Sequence, residues 1–341
     1  MKQQLVAALF TLACAVAQAG VGLLQLPATG ADGPVTVYYP SSGENRPVQR
    51  GPFTLEAVPE GEPLRGNGRL VVISHGSGGN AWVNYDAARA LVENGFVVAL
   101  PQHRGDNAQD PARPGPESWK LRPAEVSRAI DAVARDPRFA SLLPFDKVGM
   151  YGMSAGGHTA LSLAGGTWSP AGFRKHCAAH IADDFPACVG LIASLHGDFM
   201  DGLKKTVAVG VIRQRFDDDH AYTYQDPRIR AVVAGVPFAA DFDTASLVTP
   251  RVPLGIITAA HDKWLSPRFH SAAVLAACKG CERIADMSTA GHGALLSPPP
   301  PLDRLGAIAK DLLADPPGFD RAEVVRAHAG MVAFMRRHLL P

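Results

Sequence analysis

The sequence predicts an α/β fold, a mostly parallel central sheet with helices on both faces, and three observations carry that reading. Short, continuous apolar and β-branched runs alternate with stretches whose apolar residues recur on one helical face, the pattern of buried strands and their crossover helices. A Gly-x-Ser-x-Gly turn sits directly between one such run and one such helix. With 47% hydrophobic and 19% charged residues among 341, the chain has the apolar material for a large core.

The elements follow in order. Val35 to Tyr39 alternates like a half-buried edge strand, and antiparallel strands are expected at this end of the chain. Leu70 to Ser74 and Phe96 to Leu100 are fully apolar runs, separated by a helix over Tyr85 to Asn94 that Gly95 ends. Pro123 to Arg135 places Val126, Ile130 and Val133 on one helical face. Val148 to Tyr151 is the next strand, and a helix runs through Thr159 to Leu163. Ile229 to Val236, Leu254 to Ala260 and a short Arg283 to Met287 complete the strands, with helices over Pro267 to Ala277 and Arg321 to His338 after the last two.

Two stretches break this rhythm. About sixty residues, 165–226, separate a helix from the next strand, far more than a plain crossover needs. They read as a helical cap insertion that folds over the sheet and shapes a pocket, and they include Trp168 and a helical candidate, Phe199 to Val211. A second insertion, Ser297 to Gly318, begins with four consecutive prolines that stiffen it and keep it out of helix.

The first residues read as an export leader. Lys2, the apolar run Leu5 to Ala17 and the small-x-small site Ala17-Gln18-Ala19 predict cleavage after residue 19, leaving a single domain over residues 20–341 in the periplasm or outside the cell. A lipoprotein reading would use Cys14, but Thr11-Leu12-Ala13 lacks the aliphatic residue that precedes such a cysteine. Loss of Lys2 takes the formal charge from +1 to 0, and no second apolar stretch is long enough to span a bilayer. In an oxidising compartment Cys177, Cys188, Cys278 and Cys281 are expected to pair locally, Cys177 with Cys188 and Cys278 with Cys281. The Cys278-Lys279-Gly280-Cys281 spacing also suits a redox dithiol or half a metal site, though no second such pair completes four ligands. The 33 basic and 32 acidic residues nearly cancel without forming a basic block, so neither nucleic acid nor an anionic membrane is expected as partner. A small molecule is.

The chemistry centres on Gly152-Met153-Ser154-Ala155-Gly156. Alone the pattern is weak; between strand and helix it is the setting of a nucleophile elbow, which exposes the Ser154 hydroxyl above the sheet. A serine hydroxyl needs a base, and the base an orienting carboxylate. Leu254 to Ala260 ends in His261-Asp262, which puts a carboxylate at the carboxyl edge of the sheet, and Arg283 to Met287 runs into a glycine-flanked His292 at that edge. The expected set is therefore Ser154, Asp262 and His292, with Asp241 or Asp243 as alternative acids and Asp286 inside the final strand. His261 adjoins the acid, His270 lies in the helix after it, and His328 and His338 sit in the last helix as packing or surface residues. An oxyanion would need two donors: the Ala155 amide, and one from His75-Gly76-Ser77-Gly78-Gly79, where Ser77 is preferred and Gly78 is the alternative. Trp264 and Met153 are candidate substrate contacts, while Trp82, Trp119 and Trp168 read as core. Asp217-Asp218-Asp219-His220 reads as a solvated face, since adjacent residues on one loop do not converge on an ion. No metal or other cofactor is implied.

Taken together, His75 to Gly79, Pro101-Gln102-His103-Arg104-Gly105-Asp106-Asn107, Gly152 to Gly156, Asp262 and Gly291-His292-Gly293 resemble exported bacterial α/β-hydrolases of the dienelactone-hydrolase-like and platelet-activating-factor-acetylhydrolase-like kind. The resemblance spans about residues 35–292. It implies the α/β-hydrolase fold and a carboxylic ester hydrolase acting on small or lipid-like esters through Ser154, Asp262 and His292, with Ser77 and Ala155 as oxyanion donors. True dienelactone hydrolases use a cysteine nucleophile where this chain has Ser154. His103 to Asn107 reads as mainly structural, pinning loops near the site. An acyltransferase, a peptidase or a silent binding module would carry the same residues.

Overall fold

The computed structural model describes residues 19–341, so the expected leader, with Cys14, lies outside the described residues apart from Ala19. The strands are β1 (Gly20–Leu26), β2 (Val35–Ser41), β3 (Arg46–Arg50), β4 (Phe53–Pro59), β5 (Leu70–Ser74), β6 (Val97–Pro101), β7 (Val148–Met153), β8 (Thr167–Trp168), β9 (Ile229–Gly235), β10 (Phe242–Asp243), β11 (Leu254–Ala259) and β12 (Glu282–Met287). The helices are α1 (Tyr85–Glu93), α2 (Pro116–Arg135), α3 (Pro137–Ala140), α4 (Ala155–Leu163), α5 (Pro170–His180), α6 (Phe185–Val189), α7 (Asp201–Arg215), α8 (Ser271–Ala277), α9 (Ala307–Leu313) and α10 (Ala322–Leu339). Ten strands form one sheet in the order β12-β11-β9-β7-β5-β6-β2-β1-β4-β3. From β12 to β6 neighbours are parallel, and β2 and β1 continue it antiparallel.

The fully apolar strands are explained by two covered faces. In β5, Leu70 and Val72 enter one core cluster and Val71 and Ile73 the other. The first cluster receives Val126, Ile130 and Val133 of α2, Leu161 of α4 and Val274 of α8; the second receives Ala88 and Leu91 of α1 and Met331 and Met335 of α10. Each large side chain so buried contributes roughly 1.5–3 kcal/mol.

Three expectations are corrected. In the proline-led insertion Ala307–Leu313 forms α9, since the four prolines end at Pro301 and no longer constrain the chain beyond it. The segment from Val35 is an interior strand between β1 and β6, buried at every residue, and the sheet ends instead at β3 and β12. Its alternation misleads because Tyr38 and Tyr39 carry large apolar rings, both fully buried, and the Tyr39 hydroxyl donates to the Gly61 carbonyl at 2.8 Å. The helix expected from Pro123 starts at Pro116, which takes the first-turn position a proline favours, and Pro123 lies inside it.

Residues 165–226 carry β8, α5, α6 and α7. β8 pairs with β10, Trp168 meets Trp119 of α2 edge-on at 6.0 Å, and Lys120 reaches Asp218 at 2.7 Å. Both expected cysteine pairs are joined, Cys177–Cys188 and Cys278–Cys281. The loop closed by the first holds Asp184, whose Oδ2 lies 2.7 Å from His176 Nε2 and 3.1 Å from His270 Nε2. Burial pushes the Asp184 carboxyl up, but the two imidazole contacts outweigh it and hold the group at about 2. Among the described residues no helix is long and apolar enough to cross a membrane.

The chain places β6 on one side of β5 and then crosses through α2 to place β7 on the other. The winding reverses there, opening a crevice at the carboxyl ends of β5 and β7, where open α/β sheets bind ligands. The 165–226 segment is stapled rather than merely packed. The double substitution Cys177→Ala/Cys188→Ala is expected to lower stability by about 3 kcal/mol from loop closure alone, read as a lower urea midpoint, and an unchanged midpoint would show that the cap contributes nothing to global unfolding.

Candidate active site

Ser154 occupies the turn between β7 and α4 with φ 56°, left-handed backbone that a non-glycine residue adopts at a cost of about 1–3 kcal/mol. Three backbone hydrogen bonds hold it there: its amide donates to the Gly235 carbonyl at 3.0 Å, and its carbonyl accepts from His158 at 3.0 Å and Phe238 at 3.2 Å. The flanking glycines are sterically required. A Cβ on Gly152 would lie 2.1 Å from the Gly156 carbonyl oxygen, and one on Gly156 1.9 Å from that of Ser74. The helix therefore starts hard against two strand ends with its amides aimed at the crevice.

The three residues named from the sequence converge. Ser154 Oγ lies 2.9 Å from His292 Nε2, and His292 Nδ1 lies 2.7 Å from Asp262 Oδ2. The other Asp262 oxygen accepts the Trp264 and Leu265 amides at 2.9 and 2.8 Å, which fixes the carboxylate in place. Asp262 and His292 are both buried. This pattern assigns the tautomer: Nδ1–H donates to the carboxylate and Nε2 accepts the serine hydroxyl.

The loop after β5 lies against Ser154, since a Cβ on Gly76 would stand 3.4 Å from Ser154 Cβ. Its shape is set by Asp106. One oxygen of that carboxylate accepts from Ser77 Oγ at 2.6 Å and from the Gly78 amide at 2.9 Å; the other accepts from Arg122 Nη2 at 2.8 Å. Gly78's amide is thereby spent, whereas the Ser77 amide has no partner among the described residues. The Ala155 amide opens α4, one of the four N–H groups a helix leaves without an internal acceptor.

Arg122 is fully buried and also donates from Nη1 to the His75 carbonyl at 2.5 Å and from Nε to Ser118 at 2.9 Å. Beside it His103 bridges Ser74 Oγ at 2.7 Å and Glu125 Oε2 at 2.5 Å, and the His103 amide donates to His75 Nε2 at 3.2 Å. Burial, then the charges of His103 and Arg122, push the His75 imidazole well below its usual range; burial and Arg122 do the same to His103. Both rings are therefore neutral relays of hydrogen bonds. Burial raises the Glu125 carboxyl and lowers Arg122, against the pull of Asp106 and Glu125 on the latter. Sequence reasoning found Asp106 and His103 but missed Arg122, because it started the helix at Pro123, and it passed over Glu125 although that residue lies inside the helix it expected. The signal was present: Trp119, Arg122, Val126, Ala129 and Val133 follow the spacing of one buried face.

The other named residues fall elsewhere. Asp241 faces His158 Nε2 at 3.1 Å, Asp243 caps a short helical turn at Ala245, and Asp286 binds Thr258 on the sheet edge. His261 is exposed; His270 accepts the Ala239 amide at 3.0 Å; His328 is buried, which pushes its imidazole down to about 4. Trp264 is buried with Nε1 donating to Asp311 at 3.2 Å, and Met153 is packed in the core. Asp218 is occupied by Lys120 and Tyr222, so the Asp217 to His220 run ties the cap to α2.

No protein-family model matches the chain, and no curated protein sequence does. Among solved structures it is similar to a ferulic acid esterase from Streptomyces cinnamoneus, with TM-score 0.59 and 16% identity over 96% of this chain and 92% of that one. At that identity the likeness is one of fold, and the fold is that of the α/β-hydrolases.

The Arg122–Asp106 pair makes a quantitative expectation. Arg122→Met leaves the Asp106 carboxylate buried without its cation and is expected to cost about 3–5 kcal/mol in urea unfolding, part of which Arg122→Met/Asp106→Asn restores. A double variant no more stable than the single one would show that the pair is not coupled.

Proposed function

We propose that this chain is an exported serine hydrolase that cleaves carboxylic esters, with Ser154 as nucleophile, His292 as general base and then acid, and Asp262 as the carboxylate that orients and charges-compensates the imidazole. The observation that carries the reading is the unbroken hydrogen-bond line from Ser154 Oγ through His292 to Asp262, at 2.9 and 2.7 Å. In the first half-reaction Oγ attacks the ester carbonyl as its proton passes to Nε2, and the same proton then leaves with the alcohol. Water, deprotonated by Nε2 in turn, releases the acid from the acyl-enzyme. The Ala155 and Ser77 amides would receive the oxyanion, each such donor contributing about 2.7–4 kcal/mol to the barrier reduction.

The fold of a known esterase supports the reaction class, and the joined cysteines support export. Within that class the proposal places the chain with the dienelactone-hydrolase-like and platelet-activating-factor-acetylhydrolase-like enzymes, on the shared serine elbow and glycine-rich loop. Residues 20–341 would act as one hydrolase domain, with 165–226 as its cap. Feruloyl esters belong in the substrate panel because the structural relative bears that name.

The test is hydrolysis of nitrophenyl esters of graded acyl length, run beside amides and competing alcohols. Ser154→Ala is expected to abolish turnover and labelling by a fluorophosphonate while unfolding at the same temperature as the parent, and Asp262→Asn to lower kcat about 10⁴-fold. Undiminished hydrolysis by Ser154→Ala would falsify the assignment.

A further inference from the structure

The amino ends of the same strands carry a different chemistry. β7, β9 and β11 are adjacent and parallel, and each begins with a cation: Lys147 immediately before β7, Arg230 as the second residue of β9, and Arg251 shortly before β11. With Val252, Pro253 and His338 from the last turn of α10 they line a cleft of about 300 Å³, the lower end of the size range of small-molecule sites. No carboxylate lines it.

The acids nearest in sequence are committed elsewhere. Asp146 pairs with Arg69 at 2.6 Å, Asp226 and Asp131 with Arg228 at 2.7 and 2.6 Å, and Glu282 with Arg337. Among the described residues, Lys147, Arg230 and Arg251 have no ion-pair partner, although most cations around them do. Three cationic side chains lining one cleft without a carboxylate make it locally positive, which favours an anion there. Two guanidinium forks and an ammonium suit the oxygens of a phosphate group better than a single carboxylate. The neutral balance of the whole chain hides this local excess.

We propose that this cleft is a binding site for a phosphate-class oxyanion, separate from the ester site. Ser154 and Asp262 follow the carboxyl ends of β7 and β11, so a six-residue strand, about 20 Å, lies between the two sites. The ligand is therefore not the ester being cleaved. The occupant is either a free polyphosphate or the headgroup of a phosphorylated lipid, and the chemistry of recognition is the same for both.

The probe is inorganic pyrophosphate, titrated into the full chain by calorimetry at two salt concentrations. We expect saturable binding at one site per chain, weakened by added salt and weakened about tenfold or more in Arg230→Ala/Arg251→Ala. Both arginines are exposed, and an unchanged melting temperature together with unchanged nitrophenyl ester hydrolysis shows that the variant is folded and the ester site intact. A parallel arm sediments the protein with phosphatidylcholine vesicles with and without phosphatidic acid. Sedimentation that needs phosphatidic acid, is competed by pyrophosphate and is lost in the double variant identifies the headgroup as source; saturable pyrophosphate binding without sedimentation identifies the free anion. No saturable heat, or equal affinity in parent and double variant, overturns the proposal whatever the fate of the esterase reading.

Discussion

Everything at the carboxyl edge of the sheet depends on one close approach, that of α4 to the ends of β5 and β7. The carbonyl oxygens of Ser74 and Gly156 occupy the space where a Cβ on Gly156 or Gly152 would stand, so the elbow is closed by backbone alone. Because the approach is so close, Ser154 has a single conformation open to it, with φ 56°, and three backbone hydrogen bonds offset the strain. The same approach brings the first amide of α4 beside the loop that follows β5. The position of the Ser154 hydroxyl and the free amides beside it thus arise from one steric event rather than from separate adjustments.

What that event leaves undetermined is the shape of the loop itself. A glycine-rich run such as His75 to Gly79 has many conformations at similar energy, and here a buried carboxylate selects among them. Asp106 takes up the Ser77 hydroxyl and the Gly78 amide, and Arg122 neutralises Asp106 while bonding the His75 carbonyl. A buried ion pair is poor evidence of net stability, because desolvation consumes most of the attraction. Its value lies in direction: four groups must be matched at once, and one loop conformation matches them. His75 and His103, kept neutral, extend that network without adding charge to it.

Strands buried on both faces were legible as short apolar runs, and the Ser154 and Asp262 positions were legible because each sits just past such a run, whereas His292 follows the partly exposed edge strand β12 and was found through its flanking glycines. The cysteine pairing was legible from local spacing. The misreadings share a cause, which is that side-chain chemistry was taken as a proxy for environment. Tyr38 and Tyr39 look polar at one atom and are buried by their rings. Pro123 looks like a helix start, yet Pro116 one helical stretch earlier fills that role and a missing amide inside α2 is tolerated. Arg122 was concealed by that same error, whereas Glu125, inside the expected helix, was hidden because a carboxylate looks like a solvent-facing residue and is here 5% exposed. β1, β3 and β4 went unassigned, although in β4 Phe53, Leu55 and Ala57 point inward with the alternation of a half-buried strand.

The cap illustrates how such a fold separates a fixed wall from a variable one. Asp184, inside the disulfide-closed loop, is bonded to His270; His270 accepts the Ala239 amide; and the adjacent Phe238 amide is bonded to the carbonyl of Ser154. This segment and the elbow are therefore joined through three hydrogen bonds, and movement of that part of the segment would carry the Ser154 backbone with it. α7, by contrast, packs chiefly on α5 and α6, and its outward residues Leu203, Val207 and Val211 remain exposed. Sequence change on the exposed face of α7 costs little in core packing, though Ile212 on its inner face is buried, whereas change at Asp184 or His270 reaches the elbow. The inner part of the segment is thus constrained by the same geometry that strains Ser154, and the exposed face of α7 is free to vary.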